Sequence, residues 1–112
     1  MIISKTLRKE IKAKKYDVCY ICGGYFFLEQ TNIDHIIPIK SGGKNHINNC
    51  VYVHVSCNSK KAERMPNESE IKRLSKEDRA YVEKQLESLK YTFHEDSINF
   101  KNEFRILSYT MP

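Results

Sequence analysis

Two short pairs of metal-binding side chains bracket a carboxylate and an imidazole in this chain of 112 residues. The pairs are Cys19-x2-Cys22 and His54-x2-Cys57. Zinc takes four such ligands in a tetrahedron, usually as two close pairs on separate turns, and the x2 spacing lets both members of a pair reach one ion. Four ligands leave no coordination position open, so the pattern predicts a structural zinc site.

Asp34 and His35 are neighbours between the two ligand pairs, and Asn58 directly follows the last ligand. A neutral imidazole near pH 7 can accept a proton from water. Carboxylate and amide oxygens are hard ligands suited to Mg²⁺ or Mn²⁺. These three residues therefore predict chemistry in which His35 is a general base and Asp34 and Asn58 hold a second, catalytic metal ion.

The cysteines leave two alternatives open. Four cysteines in a small chain could instead form two disulfides. However, the opening residues lack the apolar core of a signal peptide and no stretch approaches a membrane span, which favours a reducing, cytoplasmic compartment and a metal site. Alternatively, Cys50 could replace His54 as the fourth ligand, although Cys50-x6-Cys57 is poor ligand spacing.

The positive charge is concentrated in the half of the chain that carries the predicted site. The net charge is +5; residues 1–64 hold eleven Lys and Arg against five Asp and Glu, whereas residues 65–112 hold eight against nine. This distribution is typical of a protein with a polyanionic partner, of which nucleic acid is the commonest, but the charge alone is explained about equally well by ordinary solubility.

The elements that must position these residues alternate between helix, turn and strand. The sequence predicts a basic helix at about 5–15 capped by Thr6, a knuckle at 19–27, strands at 33–39 and 50–55, and a helix at 57–64 capped by Ser56. Beyond Pro66 it predicts a short turn at 68–74, a helix opened by a capping box at Ser75 and ending near 91, and an edge strand at 104–109.

The order and spacing of these motifs resemble the HNH endonuclease family, also called ββα-metal or His-Me finger nucleases, in its zinc-bearing branch. The resemblance covers about residues 19–64 and includes Asp-His-Ile-Ile-Pro, Gly-Gly, Asn49 and His-x2-Cys-Asn. It implies an α+β fold whose small ββα-metal core is stapled by zinc and flanked by N- and C-terminal helices. The whole chain would be one nuclease domain, with a core at about 17–65 and an extension at 66–112.

The resemblance also implies an activity and a partner. The chain would be a metal-dependent endonuclease that nicks or cuts double-stranded DNA, with His35 as base and Asn49 fixing the loop between the strands. The candidate DNA contacts are Lys60, Lys61, Lys44 and Arg64. A homodimer or a larger phage or restriction assembly is a further expectation. The alternative is a non-catalytic zinc module that binds nucleic acid or docks onto a larger assembly.

Overall fold

The computed structural model describes residues 3–14 and 16–91, which form four α-helices and two strands. In chain order they are α1 (Lys5–Ala13), β1 (Thr31–His35), β2 (Cys50–His54), α2 (Val55–Lys61), α3 (Glu68–Lys72) and α4 (Lys76–Ser88). Short 3₁₀ turns cover Leu28–Gln30, Ile39–Ser41 and Ile47–Asn49. The predicted α+β class is confirmed, while the predicted strand at 104–109 lies outside the described residues.

Helix α1 begins at Lys5, where the sequence predicted it, but its cap is a different residue. The hydroxyl of Ser4 accepts a hydrogen bond from the N–H of Leu7 at 3.1 Å, so Ser4 caps the helix and the prediction of Thr6 as cap is wrong. Ile11 is the buried residue of this helix, and most of its basic side chains are exposed. The predicted end at residue 15 falls on a position outside the described residues.

The two strands form an antiparallel hairpin in which His35 pairs with Cys50 and Thr31 pairs with His54. Strand β1 ends at His35, four residues before the predicted end. The reason is that the side chain of Asn49 binds both the N–H of Ile37, at 2.9 Å, and its carbonyl oxygen, at 3.0 Å. Since this amide occupies the hydrogen-bonding groups of Ile37, the sheet ladder cannot extend past His35.

Helix α2 follows β2 without a loop, with His54 at its N-cap position, so the predicted start at Cys57 and the cap at Ser56 are wrong. The helix ends at Lys61 because Ala62 has φ 51° and ψ −125°, a conformation that L side chains rarely adopt. The predicted end at residue 64 therefore overshoots. In the resulting β1–β2–α2 unit, the end of β1 packs against α2.

Helices α3 and α4 pack on this core. The buried apolar cluster draws on the knuckle, the segment directly after β1, strand β2 and the two C-terminal helices with the turn between them, and comprises Cys19, Tyr20, Ile36, Ile37, Val51, Val53, Ile71, Leu74, Val82 and Leu86. Ser75 caps α4 as predicted, accepting from the N–H of Asp78 at 3.2 Å. No helix among residues 3–14 and 16–91 is long and apolar enough to cross a bilayer.

The carboxylate of Asp78 joins three parts of the chain. It is completely buried and accepts hydrogen bonds from Lys14 at 2.9 Å, Tyr16 at 2.8 Å and Asn48 at 2.9 Å. These donors come from the end of α1, the segment after it and the turn before β2. A buried carboxylate with three donors is fully compensated, so α4 is tied to the hairpin by polar contacts as well as apolar ones.

Candidate active site and metal centre

The first ligand pair lies on a tight knuckle between α1 and β1. The N–H of Gly23 donates to the carbonyl of Cys19 at 2.7 Å, and the N–H of Cys19 donates to the carbonyl of Gly24 at 2.9 Å. Gly23 has φ 79°, a backbone conformation in which glycine carries no steric cost. The guanidinium of Arg73 donates to the carbonyls of Tyr20 and Ile21, both at 2.9 Å, and so fixes the knuckle from outside.

The four predicted ligands converge. The Sγ atoms of Cys19, Cys22 and Cys57 and a ring nitrogen of His54 all lie within 4.8 Å of one another. Zinc bonds of about 2.3 Å to sulfur and 2.0 Å to nitrogen in a tetrahedron require about 3.5 Å between the two donor atoms. The Nδ1 atom of His54 lies 3.4 Å from Sγ of Cys22 and 3.9 Å from Sγ of Cys57. The donor set and its geometry therefore fit zinc.

A backbone contact orients the imidazole ligand. The Nε2 atom of His54 lies 3.1 Å from the carbonyl oxygen of Tyr25. A carbonyl can only accept, so Nε2 carries the proton and Nδ1 faces the thiols as a neutral ligand. The ring of Phe26 packs edge-on against the same imidazole at a centroid distance of 5.9 Å.

The two alternatives for the cysteines do not fit this arrangement. Cys50 is buried at the opposite end of β2 from His54, four residues or about 13 Å away along an extended strand. All four cysteines lie within the described residues, and all four are free thiols. Burial raises the pKa of Cys50 to about 11, so this thiol stays protonated.

The ligand thiols differ in their affinity for protons. Burial raises the pKa of Cys22, but hydrogen bonds from the N–H of Gly24 and from Cys57 have the opposite and larger combined effect. The pKa of Cys22 is therefore lowered to about 7. Burial and the hydrogen bond to Cys22 raise the pKa of Cys57 to about 12. Because zinc binds thiolates, binding must release the proton that Cys57 holds, and zinc affinity rises with pH.

A cleft of about 290 Å³ opens where the end of β1 meets α2, and Asp34, His35 and Asn58 all line it. Consecutive residues of a strand point to opposite faces, so Asp34 and His35 can share a cleft only where the strand ends. Strand β1 does end at His35. The remaining lining residues are Ile33, Pro38, Ile39, Lys40, Ala62 and Glu63.

Asp34 is 4% exposed and is held by two buried partners. The hydroxyl of Tyr20 donates to its Oδ2 atom at 2.5 Å, and the ammonium of Lys61 lies 3.4 Å from each carboxylate oxygen. Burial raises the pKa of Asp34 and lowers that of Lys61, while the opposite charge of each partner opposes both shifts. Burial and the charge of Asp34 also raise the pKa of Tyr20, which therefore remains a hydrogen-bond donor.

Asn58 presents its amide from α2. Its Nδ2 atom donates to Oδ1 of Asn32 on β1 at 2.7 Å. Since the amide nitrogen is engaged by the strand, the amide oxygen is the atom that Asn58 can offer to a cation. The donor types in the cleft, a carboxylate and an amide oxygen, are those that Mg²⁺ and Mn²⁺ prefer.

The loop between the strands is fixed by Asn49 and contacts His35 through Asn45. Asn49 is fully buried, and besides Ile37 its amide binds the carbonyl oxygen of Lys44 at 2.9 Å. One residue further on, Oδ1 of Asn45 lies 2.6 Å from Nε2 of His35. The imidazole therefore has a side-chain partner that comes from this loop.

The comparison with known families agrees with this geometry. A family model described as HNH endonuclease matches residues 19–64. Residues 19–64 are an HNH domain. The match contains both predicted ligand pairs and the cleft residues Asp34, His35 and Asn58, and it ends at the close of the ββα core. No curated protein and no solved structure matched the chain. Because HNH domains act on nucleic acids, the domain indicates a nuclease-related function.

The predicted DNA contacts of the HNH domain are placed unequally. Lys44 and Lys60 are exposed. Arg64 is also exposed, but its guanidinium donates to both carboxylate oxygens of Glu70, at 2.7 and 3.0 Å. Lys61 has no exposed side-chain surface, because its ammonium is directed at Asp34 and the carbonyl of His35. In this arrangement Lys61 cannot reach a DNA phosphate, so its expected role as a contact needs correction.

Three side chains of the HNH domain hold the cleft residues in place, a role that the sequence analysis predicted for none of them. Tyr20 and Lys61 hold Asp34, and Asn45 holds His35. Helical spacing could have indicated this role for Lys61. It lies three residues after Asn58, a predicted site residue, and residues at positions i and i+3 share one face of a helix. Nothing in the sequence distinguishes Asn45 from the other asparagines of the loop.

Proposed function

We propose that this chain is a metal-dependent HNH endonuclease that hydrolyses DNA phosphodiester bonds, nicking or cutting double-stranded DNA. The observation that carries the proposal is the meeting of Asp34, His35 and Asn58 in one cleft at the junction of β1 and α2. The three come from positions up to 24 residues apart in the chain, and the fold gives a carboxylate, an imidazole and an amide a shared cleft.

Two metals have separate roles in this proposal. Zinc on Cys19, Cys22, His54 and Cys57 would be structural, because the four protein ligands complete its coordination. Asp34 and Asn58 would hold Mg²⁺ or Mn²⁺. When bound, this cation would supply positive charge to the phosphate and to the departing oxygen.

His35 would act as the general base. It would take a proton from a water molecule as the water oxygen forms a bond to phosphorus, while the bond from phosphorus to the 3′ oxygen breaks. The 3′ oxygen leaves with a proton from solvent, which gives a 5′-phosphate and a 3′-hydroxyl. Asp34 remains fixed throughout by Tyr20 and Lys61.

The basic residues would bring DNA to the cleft. Lys60 is exposed on α2 close to the cleft residue Asn58, and Lys44 is exposed on the loop next to Asn45. Lys40 lines the cleft itself and forms an exposed ion pair with Glu63 at 3.4 Å. Exposed pairs of this kind contribute about 0–1 kcal/mol, so a phosphate could replace Glu63 as the partner of Lys40.

The decisive experiment is nicking of a supercoiled plasmid by the zinc-loaded protein with Mg²⁺ or Mn²⁺. We expect His35→Ala to slow nicking by about 10²- to 10⁴-fold, the usual contribution of a general base. Ser59→Ala is the control, because Ser59 is exposed on α2 and does not line the cleft. Equal nicking by wild type and His35→Ala would refute the assignment.

A non-catalytic zinc module remains the second candidate, and the buried ion pair of Asp34 with Lys61 is the observation that favours it. A carboxylate engaged in this way could be purely structural. The module would retain a DNA duplex on a gel or sensor surface, yet would leave the plasmid intact with every divalent cation tested.

A further inference from the structure

The imidazole of His35 has a well-defined partner on the loop before β2. Its Nε2 atom lies 2.6 Å from Oδ1 of Asn45, within hydrogen-bond range, and both side chains are half-buried. A neutral imidazole has one protonated and one unprotonated ring nitrogen. Because an amide oxygen can only accept, the nitrogen facing it must carry the proton.

We propose that Asn45 is a positioning residue for His35: its amide oxygen accepts the Nε2 proton and so leaves Nδ1 as the basic nitrogen of the imidazole. The inference rests on the proposed function, in which His35 is the general base. It specifies which ring nitrogen of His35 accepts the proton and which side chain determines the tautomer. Asn45 itself would touch neither substrate nor metal.

The backbone that carries Asn45 is held on both sides. On one side, the amide of Asn49 binds the carbonyl of Lys44 at 2.9 Å. On the other, His46 stacks on Tyr81 with ring planes 6° apart. These two contacts fix the backbone on either side of Asn45, so the position from which its side chain reaches the imidazole is set by the fold.

Near its start, the loop that carries Asn45 packs against the backbone after β1 at Gly43, a position that only glycine can occupy. A Cβ atom on Gly43 would lie 1.8 Å from the carbonyl oxygen of Ile37, and the N–H of Gly43 donates to the carbonyl of Pro38 at 2.9 Å. This close approach returns the loop to the end of β1. Because Gly43 lies against the segment that follows β1, the side chain of Asn45, two residues later, lies close enough to contact His35.

The test combines a spectroscopic and a kinetic measurement on three variants. Asn45→Leu removes the acceptor with little change in size, Asn45→Asp keeps an acceptor oxygen, and Ser41→Ala alters an exposed residue of the same loop that does not line the cleft. Nitrogen-15 NMR of the imidazole at about pH 8, above the ordinary pKa of histidine, reports which ring nitrogen is protonated. The signals of His35 are identified by their loss in His35→Ala.

We expect the Nε2–H tautomer in wild type, Asn45→Asp and Ser41→Ala, and a mixture of tautomers in Asn45→Leu. In plasmid nicking, Asn45→Leu should lower kcat by about 10- to 100-fold, the usual effect of removing the partner that orients a functional imidazole, with KM little changed. Asn45→Asp should restore most of this activity. A purely structural role would instead lower the melting temperature and leave the tautomer unchanged.

Two outcomes would overturn the inference without touching the proposed function. One is an active wild-type enzyme whose His35 carries its proton on Nδ1. The other is an Asn45→Leu variant with the wild-type tautomer and the wild-type kcat. A wild-type protein that nicks no DNA with Mg²⁺ or Mn²⁺ would instead overturn the proposed function, whatever tautomer the spectra show.

Discussion

Replacing Lys61 with methionine tests the buried ion pair at the floor of the cleft. Lys61 has no exposed side-chain surface, the side chain of Asp34 is 4% exposed, and the ammonium lies 3.4 Å from each carboxylate oxygen. At 3.4 Å and an effective dielectric constant of about 20, the attraction between two unit charges is about 5 kcal/mol. Removing one partner of a buried pair typically costs about 3–5 kcal/mol, because the other charge stays buried without compensation.

The hydroxyl of Tyr20 still donates to Asp34 in this variant, so we expect a loss at the lower end, about 3 kcal/mol in the free energy of unfolding. The double variant Asp34→Asn with Lys61→Met leaves no buried charge at this point. It should recover at least half of the loss, since replacing both partners of a buried pair is often close to neutral. Lys60→Met, on the adjacent exposed residue, should change stability by less than about 0.5 kcal/mol.

The assay is urea denaturation of the zinc-saturated proteins, followed by circular dichroism. The double-mutant cycle gives the coupling between Asp34 and Lys61 directly, because each single variant removes the same contact. The account of the cleft is refuted if Lys61→Met is no less stable than Lys60→Met. It is also refuted if the double variant loses the sum of the two single losses.

Three further outcomes are expected. Chelation of zinc should abolish the cooperative melting transition, because ligand binding energy is folding energy in a site of this kind, and native-like melting after chelation would show that the Cys19, Cys22, His54 and Cys57 set is not structural. Ala62→Gly should stabilise the protein by about 1 kcal/mol, since Ala62 adopts φ 51°, and an unchanged or lower melting temperature would contradict this. Lys60→Ala should reduce the salt dependence of DNA binding by about one phosphate contact, measured as the slope of log affinity against log salt, and an unchanged slope would remove Lys60 from the interface.

The sequence predicted the four residues that could hold zinc, and the carboxylate, imidazole and amide that line the cleft, because such sites depend on spacing. Cys19-x2-Cys22 and His54-x2-Cys57 constrain the chain locally, and the structure brings all four donor atoms together. The choice of His54 over Cys50 also followed from spacing. Element boundaries depended instead on contacts between distant segments, which residue spacing does not encode.

The end of β1 illustrates this limit. The run of β-branched residues at 33–39 favours a strand, but the amide of Asn49 takes the backbone groups of Ile37 and stops it at His35. This early end is also what allows Asp34 and His35 to face one cleft. A side chain fourteen residues away from His35 thus sets the geometry of the proposed site.

The role of Lys61 was misjudged for a related reason. Two lysines in succession on a short helix suggest a solvated basic face. In the structure Lys60 does face solvent, whereas Lys61 is turned inward because Asp34 and the carbonyl of His35 offer it oxygen partners. Asp78 is the last residue of the capping box predicted at Ser75, yet its carboxylate binds Lys14, Tyr16 and Asn48 and so holds α4 to the rest of the fold.

Electron paramagnetic resonance of Mn²⁺ added to the zinc-loaded protein tests most directly whether β1 and α2 bring oxygen ligands to one cation beside His35. We predict one bound Mn²⁺ in the presence of a DNA duplex, strongly weakened binding in Asp34→Asn and Asn58→Ala, and unchanged binding in Ser59→Ala, which alters an exposed neighbour on the same helix. Mn²⁺ binding that is equally strong in all four proteins, or absent from the wild type, would contradict the cleft as a catalytic metal site.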